Sequence, residues 1–276
     1  MTTYPIADRD DAYANAPHID EGFAYPERWV ERARILRDEL AACGRAKIDL
    51  AYGPAPRNRL DIFYPDGACK GLVVFVHGGY WKAFDKSFWS HLARGSLSHG
   101  YAVAMPGYTL CPDARISNIT NEIAAAIESA AKEIQGEILL CGHSAGGHLA
   151  TRMICQGSPL SGETAQRITR TVSISGLHDL RPFMATKMNE ILRVDEQEAR
   201  LESPALLAPQ PRRTVLCWVG ADERPEFLRQ SRLLVEMWSG FDARMAINVE
   251  ADRHHFNIID GLIEPAHPLT QALLLG

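Results

Sequence analysis

Ser144 is the side chain in this sequence best placed to act as a nucleophile, because it lies at the centre of Gly142-His143-Ser144-Ala145-Gly146. An apolar, strand-like run at residues 138–141 precedes this motif, and a helical pattern follows it. A serine on a tight strand-to-helix turn projects its hydroxyl above the sheet, and the flanking glycines remove side chains that would clash there. The N–H of Ala145, at the start of that helix, would face a developing oxyanion. A G-x-S-x-G motif alone also fits an ordinary turn. The prediction that Ser144 is a nucleophile therefore depends on the strand pattern before the motif and the helix pattern after it.

A glycine pair after an earlier strand supplies the second part of this chemistry. Residues 72–76 are a continuous apolar run, typical of a strand buried on both faces of a sheet, and they lead into His77-Gly78-Gly79-Tyr80-Trp81. Glycines let successive backbone N–H groups approach a substrate oxygen, as in the HGGG-type loops of lipases and esterases. The alternative is a simple glycine turn after a strand. The two motifs together, in this order, favour acyl transfer to a serine.

An acid and then a histidine should follow the serine along the chain. Residues 214–219 predict a buried strand that stops at Gly220-Ala221-Asp222-Glu223. An acid just past the carboxyl end of a strand lies on the side where open parallel sheets bind ligands, so we predict Asp222 as the acid. Glu223 is expected to face solvent. Asp179, which also follows a strand, is the alternative acid, although it could instead cap a helix.

The base is expected in the loop after the last strand, residues 244–249. Two adjacent histidines stand there, and His255 is favoured over His254. His255 would take the proton from Ser144 as the hydroxyl attacks a carbonyl carbon, while Asp222 would fix the tautomer of the imidazole and stabilise its charged form. This mechanism calls for no metal and no cofactor. His143, inside the turn, is expected to shape it rather than to titrate.

Composition argues against several other classes of protein. The chain has 276 residues, of which 46% are hydrophobic and 23% charged, and its net charge is −5 without a basic run that would favour nucleic acid. Its polar, acidic N-terminal stretch is unlike a signal peptide, and no segment reaches the roughly 18 apolar residues of a membrane span. We therefore expect a cytoplasmic protein with a small-molecule substrate and no nucleic-acid or membrane partner. The six cysteines form no C-x-x-C pair, which favours reduced thiols over a zinc site.

The alternation of strand and helix patterns predicts an α/β fold with a mostly parallel sheet and helices on both faces. The first two strands are expected to be antiparallel. One domain is predicted over residues 1–276, with an irregular roof above the site at residues 177–211. The predicted strands are 46–52, 59–64, 71–76, 101–105, 138–141, 170–175, 213–219 and 244–249; the predicted helices are 26–42, 85–99, 114–135, 225–239, one directly after Ser144, and one from about 255.

As a set, these motifs resemble the kynurenine formamidase (arylformamidase) branch of the α/β-hydrolase superfamily. The resemblance rests on the HGGYW loop, the serine turn continued by Gly147-His148-Leu149, the terminal His255-Phe256 and, less closely, Ala12-Tyr13-Ala14-Asn15-Ala16. Residues 60–65, 85–87 and 108–112 match as well. The resemblance implies an α/β-hydrolase fold and oxyanion N–H groups at Gly79 and Tyr80. It also implies hydrolysis of N-formyl-L-kynurenine to kynurenine and formate, a step of tryptophan breakdown.

The substrate pocket leaves alternatives open. Tyr80 and Trp81 could form an aromatic wall on which an aryl substrate stacks, or Trp81 could pack beneath the loop. Arg181 or Lys187 could meet a substrate carboxylate. The same motifs fit a carboxylesterase or thioesterase of small acyl esters, and a catalytically inactive hydrolase fold that binds a partner is a third hypothesis. A homodimer is expected because relatives of this size often associate.

Overall fold

The computed structural model describes residues 8–275. Residues 1–7 and 276 lie outside the described residues, so most of the polar stretch that argued against a signal peptide is not described. Within residues 8–275, no helix is both long and apolar enough to cross a membrane.

Eight strands form one central sheet: β1 (Ala46–Ala51), β2 (Arg59–Phe63), β3 (Gly71–Val76), β4 (Ala102–Pro106), β5 (Glu137–His143), β6 (Ile168–Ile174), β7 (Arg213–Gly220) and β8 (Ala243–Glu250). Their spatial order is β1-β2-β4-β3-β5-β6-β7-β8. The β1–β2 and β2–β4 pairs are antiparallel, and every other neighbouring pair is parallel. The predicted α/β architecture with a mostly parallel sheet is confirmed.

Ten α-helices accompany the sheet in the described part of the chain. They are α1 (Arg9–Ala12), α2 (Tyr25–Ala42), α3 (Arg94–Ser98), α4 (Ile116–Glu133), α5 (Ala145–Arg152), α6 (Gly162–Arg167), α7 (Asn189–Leu192), α8 (Glu196–Leu201), α9 (Pro225–Trp238) and α10 (Pro268–Leu274). The apolar stripe of α4 is buried at Ile116, Ile119, Ile123 and Ile127, as its helical spacing indicates. Helices α2, α4, α5 and α9 lie where the sequence patterns predict them.

Two predicted helices are wrong in part. Residues 85–99 form two 3-10 turns, Lys86–Phe88 and Ser90–Ala93, before the short α3. The Trp89 ring packs 4.6 Å from that of Trp29, so tertiary packing of the aromatic residues overrides a continuous helix. The closing segment from residue 255 is a loop, a 3-10 turn (Ile258–Leu262) and then α10. Pro265 and Pro268 divide it, and Pro268 takes the first position of α10, where its missing N–H costs nothing.

The core lies on both faces of the sheet, and β3 shows why. Its side chains alternate between the two layers: Leu72, Val74 and Val76 pack in one hydrophobic cluster, and Val73 and Phe75 in the other. All six residues of the strand are buried. Burying an aliphatic side chain of this size stabilises a fold by about 1.5–3 kcal/mol, which explains the unbroken apolar run. This rigid strand ends directly at the glycine loop.

The roof predicted at residues 177–211 consists of short elements. Two 3-10 turns, Arg181–Ala185 and Pro204–Leu206, flank α7 and α8. Phe183 and Leu192 anchor this segment in the core. A salt bridge of 2.7 Å between Arg115 and Asp195 ties the outer part of the roof to the residue before α4.

Candidate active site

Ser144 sits on a strained turn between β5 and α5. Its φ of 56° and ψ of −118° lie in a region that non-glycine residues rarely adopt. Any side chain at the two flanking glycines would clash with the backbone. A Cβ at Gly142 would lie 2.1 Å from the Gly146 carbonyl oxygen, and a Cβ at Gly146 would lie 1.9 Å from the Val76 oxygen. The turn is therefore packed directly against the end of β3, as the G-x-S-x-G spacing predicts.

The glycine loop after β3 lies over this turn. A Cβ at Gly78 would come within 3.1 Å of the Ser144 Cβ, which places the loop backbone beside the serine. Gly79, Tyr80 and Trp81 all have positive φ, at 112°, 50° and 55°. Among the described residues, no backbone or side-chain acceptor takes the N–H groups of Gly79, Tyr80 or Ala145. Three N–H groups without an acceptor in residues 8–275 thus lie in the glycine loop and directly after Ser144.

His255 lies in the loop after β8, with its side chain buried against the serine turn. Its ring centroid is 4.5 Å from that of His143 and 4.2 Å from that of Phe227. Its Nδ1 lies 2.7 Å from Oε2 of Glu223, whose side chain is completely buried. A carboxylate can only accept, so Nδ1 carries a proton, and in the neutral ring Nε2 is the nitrogen with a free lone pair.

Glu223, and not Asp222, is the acid that contacts the histidine, which corrects the sequence prediction. Asp222 is exposed, and its backbone N–H donates to the Arg253 oxygen. The turn at Gly220 sends the next acid inward instead. There Glu223 Oε1 accepts from the Gly220 N–H at 2.9 Å and from the Ser175 hydroxyl, so both carboxylate oxygens are bonded. These bonds compensate the burial of a charged group.

The alternative residues named from the sequence lie elsewhere. The Asp179 carboxylate pairs with Arg181 at 2.9 Å, so this acid is committed to its neighbour and not to His255. His254 is only half-buried; its Nδ1 accepts from the Phe256 N–H, and its Nε2 lies 3.2 Å from the Tyr25 hydroxyl. His254 therefore shapes the loop that carries His255. Arg181, which the sequence analysis offered to a substrate carboxylate, already holds an ion pair.

His143 supports the histidine loop. Its Nε2 lies 2.9 Å from the backbone oxygen of His255, and a carbonyl can only accept, so Nε2 is the protonated nitrogen. Burial, and then the nearby His255, hold the pKa of His143 well below its usual range. His143 is therefore a neutral donor that fixes the main chain of its neighbour.

The two aromatic residues of the loop have different surroundings. Trp81 is fully buried, and its indole N–H donates to Nδ1 of His148 on α5 at 3.2 Å. Trp81 therefore packs beneath the loop and forms no wall for a substrate, which corrects one of the two readings of this residue. Tyr80 is half-buried, and its hydroxyl donates to the backbone oxygen of Tyr13 at 2.5 Å. Only Tyr80 remains available to border a pocket.

Sequence reasoning missed a polar connection between the N-terminal segment, the roof and α9. Gln230 Oε1 accepts from the N–H groups of His178 and Asp179, each at 2.7 Å, and its Nε2 donates to the Tyr13 hydroxyl at 3.3 Å. A polar residue on the apolar face of α9 is the signal that could have indicated it, because buried amides are almost always bonded.

The sheet, the strand-turn-helix serine and the glycine loop at the carboxyl end of β3 define an α/β-hydrolase fold. The BD-FAE family model matches residues 60–212, more than half of the chain, and the chain belongs to this family. Kynurenine formamidases from Danio rerio and Drosophila melanogaster are similar in sequence. The first is 29% identical over 89% of this chain and 84% of its own length, the second 24% identical over 76% and 75%.

Solved structures agree with the fold. A provisionally assigned thioesterase from Silicibacter sp. TM1040 superposes with a TM-score of 0.92 at 47% identity, covering 98% of this chain and 99% of that one. Esterase B from Lactobacillus rhamnosis has a TM-score of 0.65 at 19% identity, covering 91% and 93%, and supports the fold alone. Together, these relatives and the family show that the chain is a hydrolase enzyme of the α/β-hydrolase type.

Proposed function

We propose that the protein is a serine hydrolase with Ser144 as nucleophile, His255 as base and Glu223 as the acid that orients it. The observation that carries this proposal is the 2.7 Å bond from His255 Nδ1 to the buried Glu223 carboxylate beside the serine turn. In the neutral ring, this bond places the proton on Nδ1 and leaves Nε2 of His255 able to accept the serine proton. The pairing is typical of serine hydrolases, where the acid fixes the tautomer and stabilises the imidazolium.

The reaction follows from these positions. His255 Nε2 takes the Ser144 proton as Oγ attacks the carbonyl carbon, and the N–H groups of Gly79, Tyr80 and Ala145 bind the oxyanion. His255 then gives the proton to the leaving group as the acyl-enzyme forms. Water, activated by the same histidine, attacks the acyl-enzyme and releases the acid. Loss of one such donor typically costs about 3–4 kcal/mol of transition-state stabilisation.

For the substrate, we propose an aryl formamide such as N-formyl-L-kynurenine. Support comes from the kynurenine formamidases, which align with 76% to 89% of this chain, and from the HGGYW loop. The test is steady-state hydrolysis of N-formyl-L-kynurenine beside p-nitrophenyl acetate, with the wild type and Ser144→Ala. We expect kcat/KM for the formamide of about 10⁴ M⁻¹s⁻¹ or more, abolished in the variant. Turnover of the activated ester alone would disprove the formamide while leaving the triad standing.

A small-acyl thioesterase or carboxylesterase is the second candidate, favoured by the 47% identity to the provisionally assigned thioesterase. Acetyl thioesters assayed beside the formamide separate the two, because the higher kcat/KM identifies the better substrate. A fluorophosphonate probe tests the third hypothesis, an inactive binding protein: a functional triad is labelled at Ser144, and an inactive site is not.

A further inference from the structure

The N-terminal segment, defined as residues 8–24, reaches into the candidate site. Tyr13 is 1% exposed, and its ring packs 4.4 Å from that of Phe183 in the roof. Its hydroxyl donates to Glu226 Oε2 at 2.8 Å on α9. Burial and the negative charge of Glu226 raise the pKa of Tyr13, so the phenol stays protonated and the bond to the carboxylate is kept.

The same segment holds the glycine loop through Tyr80. The Tyr80 hydroxyl donates to the backbone oxygen of Tyr13 at 2.5 Å and accepts from Nδ2 of Asn15 at 3.4 Å. Asn15 is itself 7% exposed. Tyr80 and Trp81 lie at positive φ, a conformation that costs non-glycine residues free energy unless their surroundings impose it. The contacts to Tyr13 and Asn15 supply such a constraint on one side of the loop.

On its other side, the segment touches the helix that flanks the base. Glu226, the acceptor of the Tyr13 hydroxyl, precedes Phe227, whose ring packs 4.2 Å from that of His255. At the surface, the Asp10 carboxylate accepts from the Lys187 N–H at 2.7 Å, and Asp11 pairs with Arg224. The N-terminal segment therefore connects the glycine loop, the roof and α9.

This bridge encloses the reacting groups. Ser144 is 2% exposed and His255 is 3% exposed. The Tyr80 ring packs edge to face against Phe183 of the roof, with 6.1 Å between the ring centroids, and Tyr80 belongs to the glycine loop that lies beside Ser144. With the ring held by Tyr13 and Asn15, a short acyl group fits more readily than a long one.

We propose that Tyr80 and Asn15 are specificity-determining residues for short acyl groups, acting as a latch between the oxyanion loop and the N-terminal segment. The latch sets the position of the Tyr80 N–H. It also limits the space for the acyl group on Ser144 to groups of about formyl or acetyl size. This inference rests on the proposed function, because it uses the Ser144 acyl-enzyme. It goes beyond that function by naming what selects the acyl group.

The test compares p-nitrophenyl acetate, butyrate and hexanoate in the wild type, Tyr80→Phe, Asn15→Ala and a control, Tyr101→Phe. Tyr101→Phe also removes a partly buried tyrosine hydroxyl bond, 2.8 Å to Glu137, but at the opposite ends of the strands. For Tyr80→Phe we expect kcat on acetate to fall about fivefold to tenfold, the effect of one lost hydrogen bond, with KM nearly constant. The kcat/KM ratio of acetate to hexanoate should fall by a similar factor in both latch variants and stay at the wild-type value in the control.

The outcomes separate the latch from the function it rests on. A wild type that turns over no ester and takes no fluorophosphonate label overturns the proposed function. A wild type whose activity depends on Ser144, with an unchanged acyl ratio in both latch variants, overturns the latch alone. Asn15→Ala keeps the test decisive if Tyr80→Phe does not fold, as circular dichroism would show.

Discussion

Glu223 is the residue whose replacement tests the candidate site most directly. Its carboxylate bonds to His255 Nδ1 and is held by the Gly220 N–H and the Ser175 hydroxyl. Glu223→Gln keeps the shape but can donate to the ring, which favours the tautomer that cannot accept the serine proton. We expect kcat for p-nitrophenyl acetate to fall about 10³- to 10⁴-fold, as for the acid of other triads.

Asp222→Asn is the matched control for this prediction, because it makes the same chemical change one residue earlier on an exposed side chain. Its kcat should stay within about twofold of the wild type, as expected for a surface substitution. Equal losses in the two variants would contradict the assignment of Glu223, and a loss confined to Asp222→Asn would restore the sequence-based choice.

Whether a site residue could be found from sequence depended on how local its signal is. Ser144 and His255 lie where motif and chain order place them, because the serine turn is encoded by its own glycines. The choice between Asp222 and Glu223 depends on a turn that packs against the loop after β8: a Cβ at Gly220 would lie 2.0 Å from the Arg253 oxygen. Because Gly220 and Arg253 are far apart in the sequence, no local sequence pattern could indicate this contact.

At the scale of elements, the packing of α5 against β3 predicts opposite effects of two glycine-to-alanine changes in helices. A Cβ at Gly146 would lie 1.9 Å from the Val76 oxygen, whereas nothing lies within 4 Å of a Cβ at Gly162. Gly146→Ala must push backbone from backbone, so we expect a loss of about 3 kcal/mol or more in the free energy of unfolding. Gly162→Ala should be neutral or stabilise by up to about 1 kcal/mol through helix propensity. Urea denaturation measures both, and equal stability of the two variants would refute this account of the turn.

The elements themselves differed in how well the sequence predicted them. The strands were predictable because apolar runs of strand length, as in β3 and β5, have few other uses in an α/β chain. Residues 85–99 were not, since Trp89 and Leu92 serve packing against α2 and not a continuous helical face. The roof was expected to be irregular, but its connections through Gln230 depend on contacts over 51 and 217 positions in the chain.

At the scale of the whole molecule, the sheet brings residues distant in sequence to one edge. The glycine loop follows β3, Ser144 follows β5, Glu223 follows β7 and His255 follows β8. These strands are parallel neighbours or near neighbours, so their carboxyl ends share one side of the sheet. Several histidines are buried around the site and in the core of this arrangement.

Those histidines predict loss of stability in acid. Burial lowers the pKa of His77 to about 4 and the pKa of His91, His148 and His178 to about 3, and it holds the pKa of His143 well below its usual range. The unfolded chain binds protons at these groups near pH 6.5, and the folded protein does not until far lower pH. The stability contributed by these neutral histidines is therefore fully present above about pH 6.5. It falls as the pH drops from there toward the pKa values of the folded protein. Each histidine contributes up to about 1.4 kcal/mol per pH unit to the slope.

His91→Leu isolates one member of this set away from the candidate site. Among the described residues neither ring nitrogen of His91 has a partner, and the side chain lies in a buried 3-10 turn against α2. Leucine has a similar volume and cannot bind a proton. The change therefore removes the proton that His91 takes up when the chain unfolds in acid, and it removes two unbonded polar atoms. We expect the unfolding free energy at pH 7 to be equal to or above that of the wild type. Between about pH 6 and pH 4 its slope should be shallower by up to about 1.4 kcal/mol per pH unit. Urea denaturation across that range measures both values, and parallel curves for the two proteins would mean that His91 is charged, or reached by water, in the folded state.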